Sequence, residues 1–230
     1  MKHACLMILP MLCVGCSNQT TVGEQYVGKP YINDPLGENI APDSDPLIRF
    51  DAFDCTTFVE TVLADGDAEK LNKIRYKNGR VGFTNRNHFI ESEWIPNNSD
   101  LVKNISSKYA KTAVRRVKIN RSKWMKRIHN ITIPRDIKTI DLEYIPYENL
   151  GDIHTNRPLV VLFIRSKIST NKLGTDLAVR HMGFLLPNGV LRHASSSAGC
   201  VVDVNFNEYV AKMKKMPNNI GIVLLEIKRK

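Results

Sequence analysis

Cysteine is scarce in this chain outside its first few residues. The 230-residue sequence has five cysteines, and three of them, Cys5, Cys13 and Cys16, lie within the first sixteen residues. Only Cys55 and Cys200 remain beyond that stretch. A fold held together by several disulfides is therefore excluded, and one Cys55–Cys200 bridge is the most that an oxidising compartment would add.

Long apolar runs are also missing. No stretch reaches the roughly 18 consecutive apolar residues that a membrane-spanning helix requires. The hydrophobic share of 43% and the charged share of 24% are ordinary for a globular protein and argue against wholesale disorder. A length of 230 residues suits one sizeable domain with its own core, or a domain with a small extension.

Acidic residues are absent from one long segment. Residues 101–135 contain eleven Lys or Arg and no Asp or Glu, and the whole chain has a net charge of +10. This basic segment therefore carries the entire excess of positive charge, and the remainder is nearly neutral. A basic face can attract nucleic acid, anionic lipid headgroups or a carboxylate-rich polymer, and a solvated surface is the alternative.

The first sixteen residues, MKHACLMILPMLCVGC, are typical of an export signal. Lys2 supplies the positive start, and residues 4–14 form an apolar stretch too short to span a bilayer. The closing VGC resembles the lipobox of bacterial lipoproteins, with Cys13 where leucine is usual. The resemblance implies that Cys16 is lipidated and becomes the mature N-terminus, simple cleavage being the alternative. Ser17 would then direct the protein to the outer membrane of a Gram-negative cell, facing the periplasm.

Composition divides the rest of the chain. Residues 17–49 are rich in Gly, Pro, Asn and Asp, which indicates a linker that leads into irregular, turn-rich structure. We therefore predict a lipoprotein signal at residues 1–16, a linker at 17–26 and one domain at 27–230.

A helix is predicted directly after this irregular stretch. Asp54 can cap its first turn and Gly66 can end it, so that Cys55 stands at the helix N-terminus. One face of this helix carries apolar residues at helical spacing, namely Phe58, Val59, Val62 and Leu63. A second short helix is predicted at residues 67–74.

The second half of the chain is predicted to be rich in strands. Residues 158–166, PLVVLFIRS, form an apolar run of strand length that we expect to be buried on both faces. Further strands are predicted within TDLAVRHMGFLL, VLRHAS, CVVDV and IGIVLLEIK, with a helix at residues 205–215. In the basic segment, Val117 and Ile119 indicate a strand, and residues 122–128 a helical piece. Helices followed by an antiparallel sheet indicate one α+β domain.

Two histidines flank the turn Pro187-Asn188-Gly189. A two-residue turn would point His181 and His193 to opposite faces of the hairpin, whereas a three-residue loop pairs Gly183 with His193. Because proline lacks a backbone donor and is a poor ladder residue, the three-residue loop is favoured. His181 then becomes the diagonal neighbour of His193 on the same face.

A cysteine at a helix start and a histidine pair together suggest nucleophilic chemistry. A free thiol titrates at about pH 8.5, and a helix N-terminus with an adjacent imidazolium lowers that pKa and makes the thiolate the resting form. The roles would be Cys55 as nucleophile, His181 as base and then acid, and His193 as orienting group. The reaction would be acyl transfer from an amide, through a thioester, to water. The alternatives are a packing cysteine, a disulfide with Cys200, or a zinc site of these three residues.

These motifs in combination resemble the NlpC-type papain-like peptidoglycan hydrolases. Those proteins carry a Gly-x-Pro-Tyr element, an Asp-Cys pair at a helix start, a His-x-Gly element and a second histidine in a HAS-like stretch. The matching residues here are 28–31, 54–55, 181–184 and 193–195. A narrower branch, the N-acetylmuramoyl-L-alanine amidase-like proteins, is resembled by two stretches, FDAFDCTTFVETVLA and NRNHFIESEWIPNN. Proteins of this branch are often lipoproteins. The sequence Asp-Cys-Thr-Thr, in place of the usual Asp-Cys-Ser-Gly, also fits this branch.

The resemblance implies a papain-like α+β fold and a substrate, the amide between muramic acid and the L-alanine of the stem peptide, in peptidoglycan or muropeptides. It implies that Tyr31 helps to hold the oxyanion. It also implies that Asp54 contacts the substrate, together with the residues of the branch signature, which are Arg86, His88, Trp94 and Asn98. Arginine suits a carboxylate and tryptophan a sugar or peptide face, and a structural loop is the alternative.

Several expectations complete this hypothesis. We expect no cofactor, no metal and no nucleic-acid partner, and the oligomeric state is left open. His129 and His154 are interpreted as surface residues. One rival function is an endopeptidase that cuts between D-glutamate and the diamino acid of the stem peptide. Another is a catalytically silent cell-wall-binding lipoprotein in which Cys55 pairs with Cys200.

Overall fold

The computed structural model describes residues 22–228, so the signal segment and Cys16 lie outside the described part. The helices are α1 Cys55–Leu63, α2 Ala68–Arg75, α3 Ile95–Asn97, α4 Arg121–His129 and α5 Phe206–Lys215. The strands are β1 Val102–Asn104, β2 Ala113–Asn120, β3 Ile137–Pro146, β4 Leu159–Arg165, β5 Val179–Leu185, β6 Val190–Ser195, β7 Cys200–Asn205 and β8 Asn219–Ile227. Single 3-10 turns and one π turn, Ile90–Trp94, connect them.

All of the strands join one antiparallel sheet. Its order is β2-β3-β8-β4-β5-β6-β7, and the short β1 pairs with β8 beside this path. The predicted mixed fold with an antiparallel sheet is confirmed. None of the helices in the described part is both long and apolar enough to cross a membrane.

Strand β4 forms the centre of the core. Its residues from Leu159 to Ile164 are fully buried, which confirms the predicted burial on both faces. Val160, Leu162 and Ile164 join the cluster that contains α1, while Val161 and Phe163 join the cluster that contains Phe206 of α5. Because side chains alternate along a strand, this single apolar run supports two layers of helices.

Helix α1 begins where the sequence predicted. The Asp54 carboxylate accepts from the Thr57 backbone N–H at 2.7 Å, and the Asp54 N–H donates to the Thr57 hydroxyl at 3.0 Å. These two bonds form a reciprocal cap that makes Cys55 the first residue of the helix. Phe58 then packs edge-on against Phe184 of β5, with ring centroids 5.8 Å apart.

The predicted linker is not wholly a linker. Tyr26 is buried and packs edge-on against Phe53 with ring centroids 5.0 Å apart. The carbonyl of Val22 accepts a hydrogen bond from the Arg192 guanidinium at 2.8 Å. The packed domain therefore starts earlier than residue 27, at least from Val22, because an aromatic ring and a buried cation hold this segment.

Strand β3 was missed in the sequence. It pairs with β2 along its length, from Ala113↔Tyr144 to Asn120↔Ile137. Apolar residues alternate with Asp141 and Glu143 only over residues 140–144, so the period of two was short, and it was more polar than the continuous apolar run of β4.

Gly221 on β8 offers a test of this strand arrangement. A Cβ at this position would lie 2.0 Å from the carbonyl oxygen of Ile145, so Gly221→Ala must displace backbone. We expect a loss of about 1–3 kcal/mol in the free energy of unfolding, measured by urea denaturation. Gly151→Ala is the matched control, because a Cβ there meets nothing within 4 Å, and its effect should stay within about 0.5 kcal/mol. Equal effects of the two substitutions would contradict the register.

Candidate active site

The thiol of Cys55 is held at the start of α1. Its sulfur lies 4.0 Å from the Thr56 hydroxyl and accepts a hydrogen bond from the backbone N–H of Met182 on β5. Cys55 packs against the same apolar cluster as α1. The sulfur is therefore placed by two elements, the capped helix start and the neighbouring strand.

The two hairpin histidines form a direct pair. His181 Nε2 and His193 Nδ1 are 2.7 Å apart, and the rings meet edge-on with centroids 4.8 Å apart. The β5–β6 ladder pairs Phe184 with Arg192, and Leu186 bonds to Val190 across the turn. The predicted three-residue loop and the diagonal placement of the histidines are thereby confirmed.

Gly183 makes this close pairing possible. A Cβ at Gly183 would lie 2.8 Å from both the Arg192 carbonyl oxygen and the His193 Cβ. A larger residue would push β6, and with it His193, away from His181.

Cys55 and His181 line one cavity. This cavity, here called the thiol cavity, has a volume of about 190 Å³ and also exposes Arg180, Asn87 and His88. A candidate nucleophile and a candidate base in one recess form the arrangement that acyl transfer needs.

Burial determines the resting charges in this recess. Burial, with the neighbouring Asp54 carboxylate, raises the pKa of the Cys55 thiol to about 12. Burial lowers the pKa of His181 to about 3 and that of His193 to about 4. Desolvation therefore opposes the expected resting thiolate, and it favours the neutral forms of the thiol and of both imidazoles.

Tyr209 belongs to this site and carried no motif in the sequence. Its ring, on α5, lies 4.9 Å from the ring of His193 and 6.1 Å from that of His181, measured between centroids. The ring of Phe163 on β4 packs against it with centroids 5.0 Å apart, and it also contacts the ring of His181 at 5.8 Å. In the sequence, the only sign that Tyr209 could contact the histidines is its place on the inner face of α5. No local motif shows this contact, because it is the sheet that brings the helix and the histidines together.

Tyr31 lies beside the thiol. Its segment forms an isolated parallel bridge with Phe53, two residues before Cys55, and its N–H donates to the carbonyl of Gly199 at 2.8 Å. Burial and the nearby Cys55 and Asp54 raise the pKa of Tyr31, so its hydroxyl keeps the proton that an oxyanion would need.

Arg86 does not present a free guanidinium to a substrate carboxylate. It forms a fork with Glu38 at 2.9 and 2.7 Å and reaches Asp43 at 2.6 Å. Glu38 is buried and also accepts from the Tyr76 hydroxyl at 2.9 Å. The role suggested for Arg86 is therefore corrected to one of fixing the 34–43 loop at the edge of the site.

Trp94 and Asn98 are also corrected. Trp94 is fully buried, and its indole N–H donates to Glu60 at 3.0 Å. Asn98 is buried and donates to the carbonyls of Ile74 and Trp94 at 3.0 and 2.9 Å. Both side chains hold the core, and neither faces a cleft. The Asp54 carboxylate likewise serves mainly as the α1 cap, although Asp54 also lines a second cavity.

A second cavity of about 190 Å³ adjoins the first, and we call it the aromatic cavity. The two share Thr56, Asn87 and His88 as lining residues. Its rings come from Phe83, His88, Trp124 and His129. His129 is thus corrected from a surface residue to a cavity residue, because α4 folds back over the 83–89 segment, while His154 is exposed as predicted.

Two structural facts bear on the other hypotheses for Cys55, which were a disulfide with Cys200 and a zinc site. Cys55 and Cys200 are both free thiols, and Cys200 Sγ instead lies 3.7 Å from the carbonyl oxygen of Ala198. Between residues 22 and 228, no three His, Cys, Asp or Glu side chains are grouped to hold a metal ion.

Solved structures share this fold. Protein LPG0564 from Legionella pneumophila is 27% identical with a TM-score of 0.81, covering 91% of this chain and 88% of its own. An N-acetylmuramoyl-L-alanine amidase from Bacteroides uniformis is 24% identical with a TM-score of 0.69, covering 91% of this chain and 97% of its own. A Bacteroides fragilis protein provisionally named a xylanase is 25% identical with a TM-score of 0.64, covering 90% and 99%.

No curated protein matches the sequence. The profile of the AmiA-like family, described as N-acetylmuramoyl-L-alanine amidase-like, matches residues 21–220. Since this match spans most of the chain and includes the thiol, both histidines and Tyr31, the protein belongs to the N-acetylmuramoyl-L-alanine amidase-like family.

Proposed function

We propose that the protein hydrolyses the amide between N-acetylmuramic acid and L-alanine, in peptidoglycan or muropeptides, with Cys55 as nucleophile. The observation that supports this most is the hydrogen-bonded pair of His181 and His193, 2.7 Å apart, beside the thiol cavity that Cys55 lines. The family to which the chain belongs supplies the substrate class.

In the first step His181 acts as a general base. Since the thiol and imidazole rest neutral, the sulfur loses its proton to His181 as the S–C bond forms, rather than from a preformed ion pair. For this, His181 Nε2–H must donate to His193 Nδ1, which leaves His181 Nδ1 free to accept the proton. His193 thus fixes the tautomer and the ring orientation, and Tyr209 supports both rings.

In the next steps His181 passes this proton on to the leaving group. The tetrahedral intermediate places its negative charge near the Tyr31 hydroxyl and the backbone N–H at the start of α1. The C–N bond then breaks, and protonated His181 gives its proton to the leaving amine of L-alanine. Water then attacks the remaining thioester while His181 accepts one of its protons. The C–S bond breaks, His181 gives that proton to the sulfur, and the free thiol and the muramic acid carboxyl group, which ionises in water, are released.

The proposal also includes the fold type of the domain and the place of the protein in the cell. We infer that the domain is of the papain-like NlpC type and is anchored through lipidated Cys16 to the outer membrane, facing the periplasm. The export-signal pattern and the VGC sequence at residues 14–16 support the anchor. An envelope location would give the enzyme access to peptidoglycan.

The Bacteroides fragilis protein is provisionally named a xylanase. Glycoside hydrolysis has less support at this site than amide hydrolysis. That reaction uses two carboxyl groups that flank a glycosidic bond. The carboxylates beside the thiol cavity are engaged elsewhere: Asp54 caps α1, and Glu91 accepts from the Ala178 N–H at 2.6 Å.

Mass spectrometry of defined muropeptides tests the proposal directly. Wild-type protein should release products split at the lactyl amide, and Cys55→Ala should lower that rate by at least about 10³-fold, because the thioester can no longer form. Cys200→Ala is the matched control and should keep activity. Cuts between D-glutamate and the diamino acid would favour the endopeptidase, and no cut by the wild type would favour a silent binding protein.

The neutral resting thiol predicts a particular pH dependence of alkylation. Because burial raises the pKa of Cys55, its iodoacetamide labelling should be slow near neutral pH and should keep rising above about pH 8. Labelling is measured per peptide by mass spectrometry, with Cys200 in the same digest as the internal reference. A high rate that stays flat from about pH 5 to about pH 8 would indicate a thiolate–imidazolium pair and contradict this assignment.

A further inference from the structure

The aromatic cavity has the form of a binding site. Its volume is about 190 Å³, and it opens next to the thiol through the shared residues Thr56, Asn87 and His88. Trp124 packs against His88 and His129 with ring centroids 4.9 and 4.6 Å away, and Phe83 lies 4.7 Å from His129. These contacts hold the rings rigidly around one recess.

One polar atom of a residue that lines this recess has no hydrogen-bond partner within residues 22–228. His129 Nε2 is buried and makes no hydrogen bond to the described residues. By contrast, His88 Nε2 bonds to the Phe83 carbonyl at 2.8 Å. A buried unpaired nitrogen costs free energy unless a ligand or water satisfies it, so it marks a point where a ligand group can bond.

The charges around the cavity select the kind of ligand. Asp34 and Asp54 line it, together with the buried ion pair of Arg75 and Glu60. The charge of Arg86, which also lies 3.6 Å from Asp34, is offset by Glu38 and Asp43. Burial also lowers the pKa of His129 and His88, so both imidazoles stay neutral at neutral pH. The site is therefore unsuited to an anion and suited to an uncharged ligand with hydroxyl groups and an apolar face.

We propose that the aromatic cavity binds the sugar ring that carries the scissile amide, with Trp124 and His129 as specificity-determining residues. A pyranose presents C–H bonds on its faces to the rings, and hydroxyl or acetamide groups to His129 and the acidic residues. This inference rests on the proposed function, in which the muramoyl half of the substrate becomes the acyl group on Cys55.

The stem peptide fits the opposite side. Its carboxylates would be repelled by Asp34 and Asp54, whereas Arg180 stands in the thiol cavity and donates to the neutral side chain of Asn219 at 2.9 Å. Glu91 also lines the thiol cavity, but its carboxylate accepts from the Ala178 N–H, whereas Arg75 and Arg86 of the aromatic cavity are each paired with a carboxylate. The cavities thus differ in how their cations are partnered, and Thr56, next to Cys55, lines both. This polarity orients the substrate with its sugar toward α4.

Calorimetry with the Cys55→Ala protein tests the sugar site without turnover. The probes are N-acetylmuramoyl-L-alanyl-D-isoglutamine and D-lactoyl-L-alanyl-D-isoglutamine, which share the amide but differ in the sugar. We expect the sugar-bearing probe to bind at least about tenfold more tightly, and Trp124→Ala to remove that preference without weakening the lactoyl probe. His129→Gln should reduce the preference by a smaller factor and gives a second reading if Trp124→Ala folds poorly.

The matched control lies on the same helix. Lys126→Ala changes an exposed side chain that bonds to Asn130 and should leave the preference intact. Equal binding of the two probes, no binding of either, or a preference that survives both aromatic-cavity variants would overturn the inference. Failure of the proposed function looks different: wild-type protein would not cut the lactyl amide although the preference for the sugar-bearing probe remains.

Discussion

Burial of helix α1 against strand β5 is the constraint on which the rest of the site depends. Phe58 meets Phe184 in the core, and the Asp54–Thr57 cap determines that the helix starts at Cys55. The same packing partly removes water from the thiol and from His181, and this desolvation favours the neutral form of both groups. In the proposed reaction the sulfur would therefore be precisely placed but without a stabilised thiolate, and a base would take the proton as the sulfur attacks.

The basic segment illustrates how a charge count differs from a charged surface. Arg115 is buried and paired with Asp176 at 3.0 Å, and Arg121 is buried and paired with Glu93. Arg116 pairs with Asp141 on the exposed face at 2.8 Å. Three of the eleven cations thus join β2 and α4 to neighbouring elements, so part of the positive charge of residues 101–135 is structural rather than available to a partner.

Local features could be predicted from the sequence, and long-range ones could not. The α1 start follows from an aspartate before an amphipathic stretch, and the histidine pairing follows from the poor fit of Pro187 in a ladder. The partners of Arg86 lie more than forty positions away along the chain. Trp94 likewise bonds to a residue far away in the sequence, because Glu60 lies 34 positions before it. A motif match identifies such residues but cannot say whether they face a substrate or another part of the protein.

His129 shows the converse error. A lone histidine in a basic helix has the sequence signature of a surface residue, and only the return of α4 over Phe83 and His88 places its ring in a cavity. The four rings of the aromatic cavity therefore come from two segments with no shared motif. In the proposed reaction this matters for the order of events, because the acyl group stays on Cys55 while the amine leaves. Contacts on the α4 side would persist through the thioester, and contacts near Arg180 would end with release of the peptide, so the two halves of the cleft would act on different steps of one turnover.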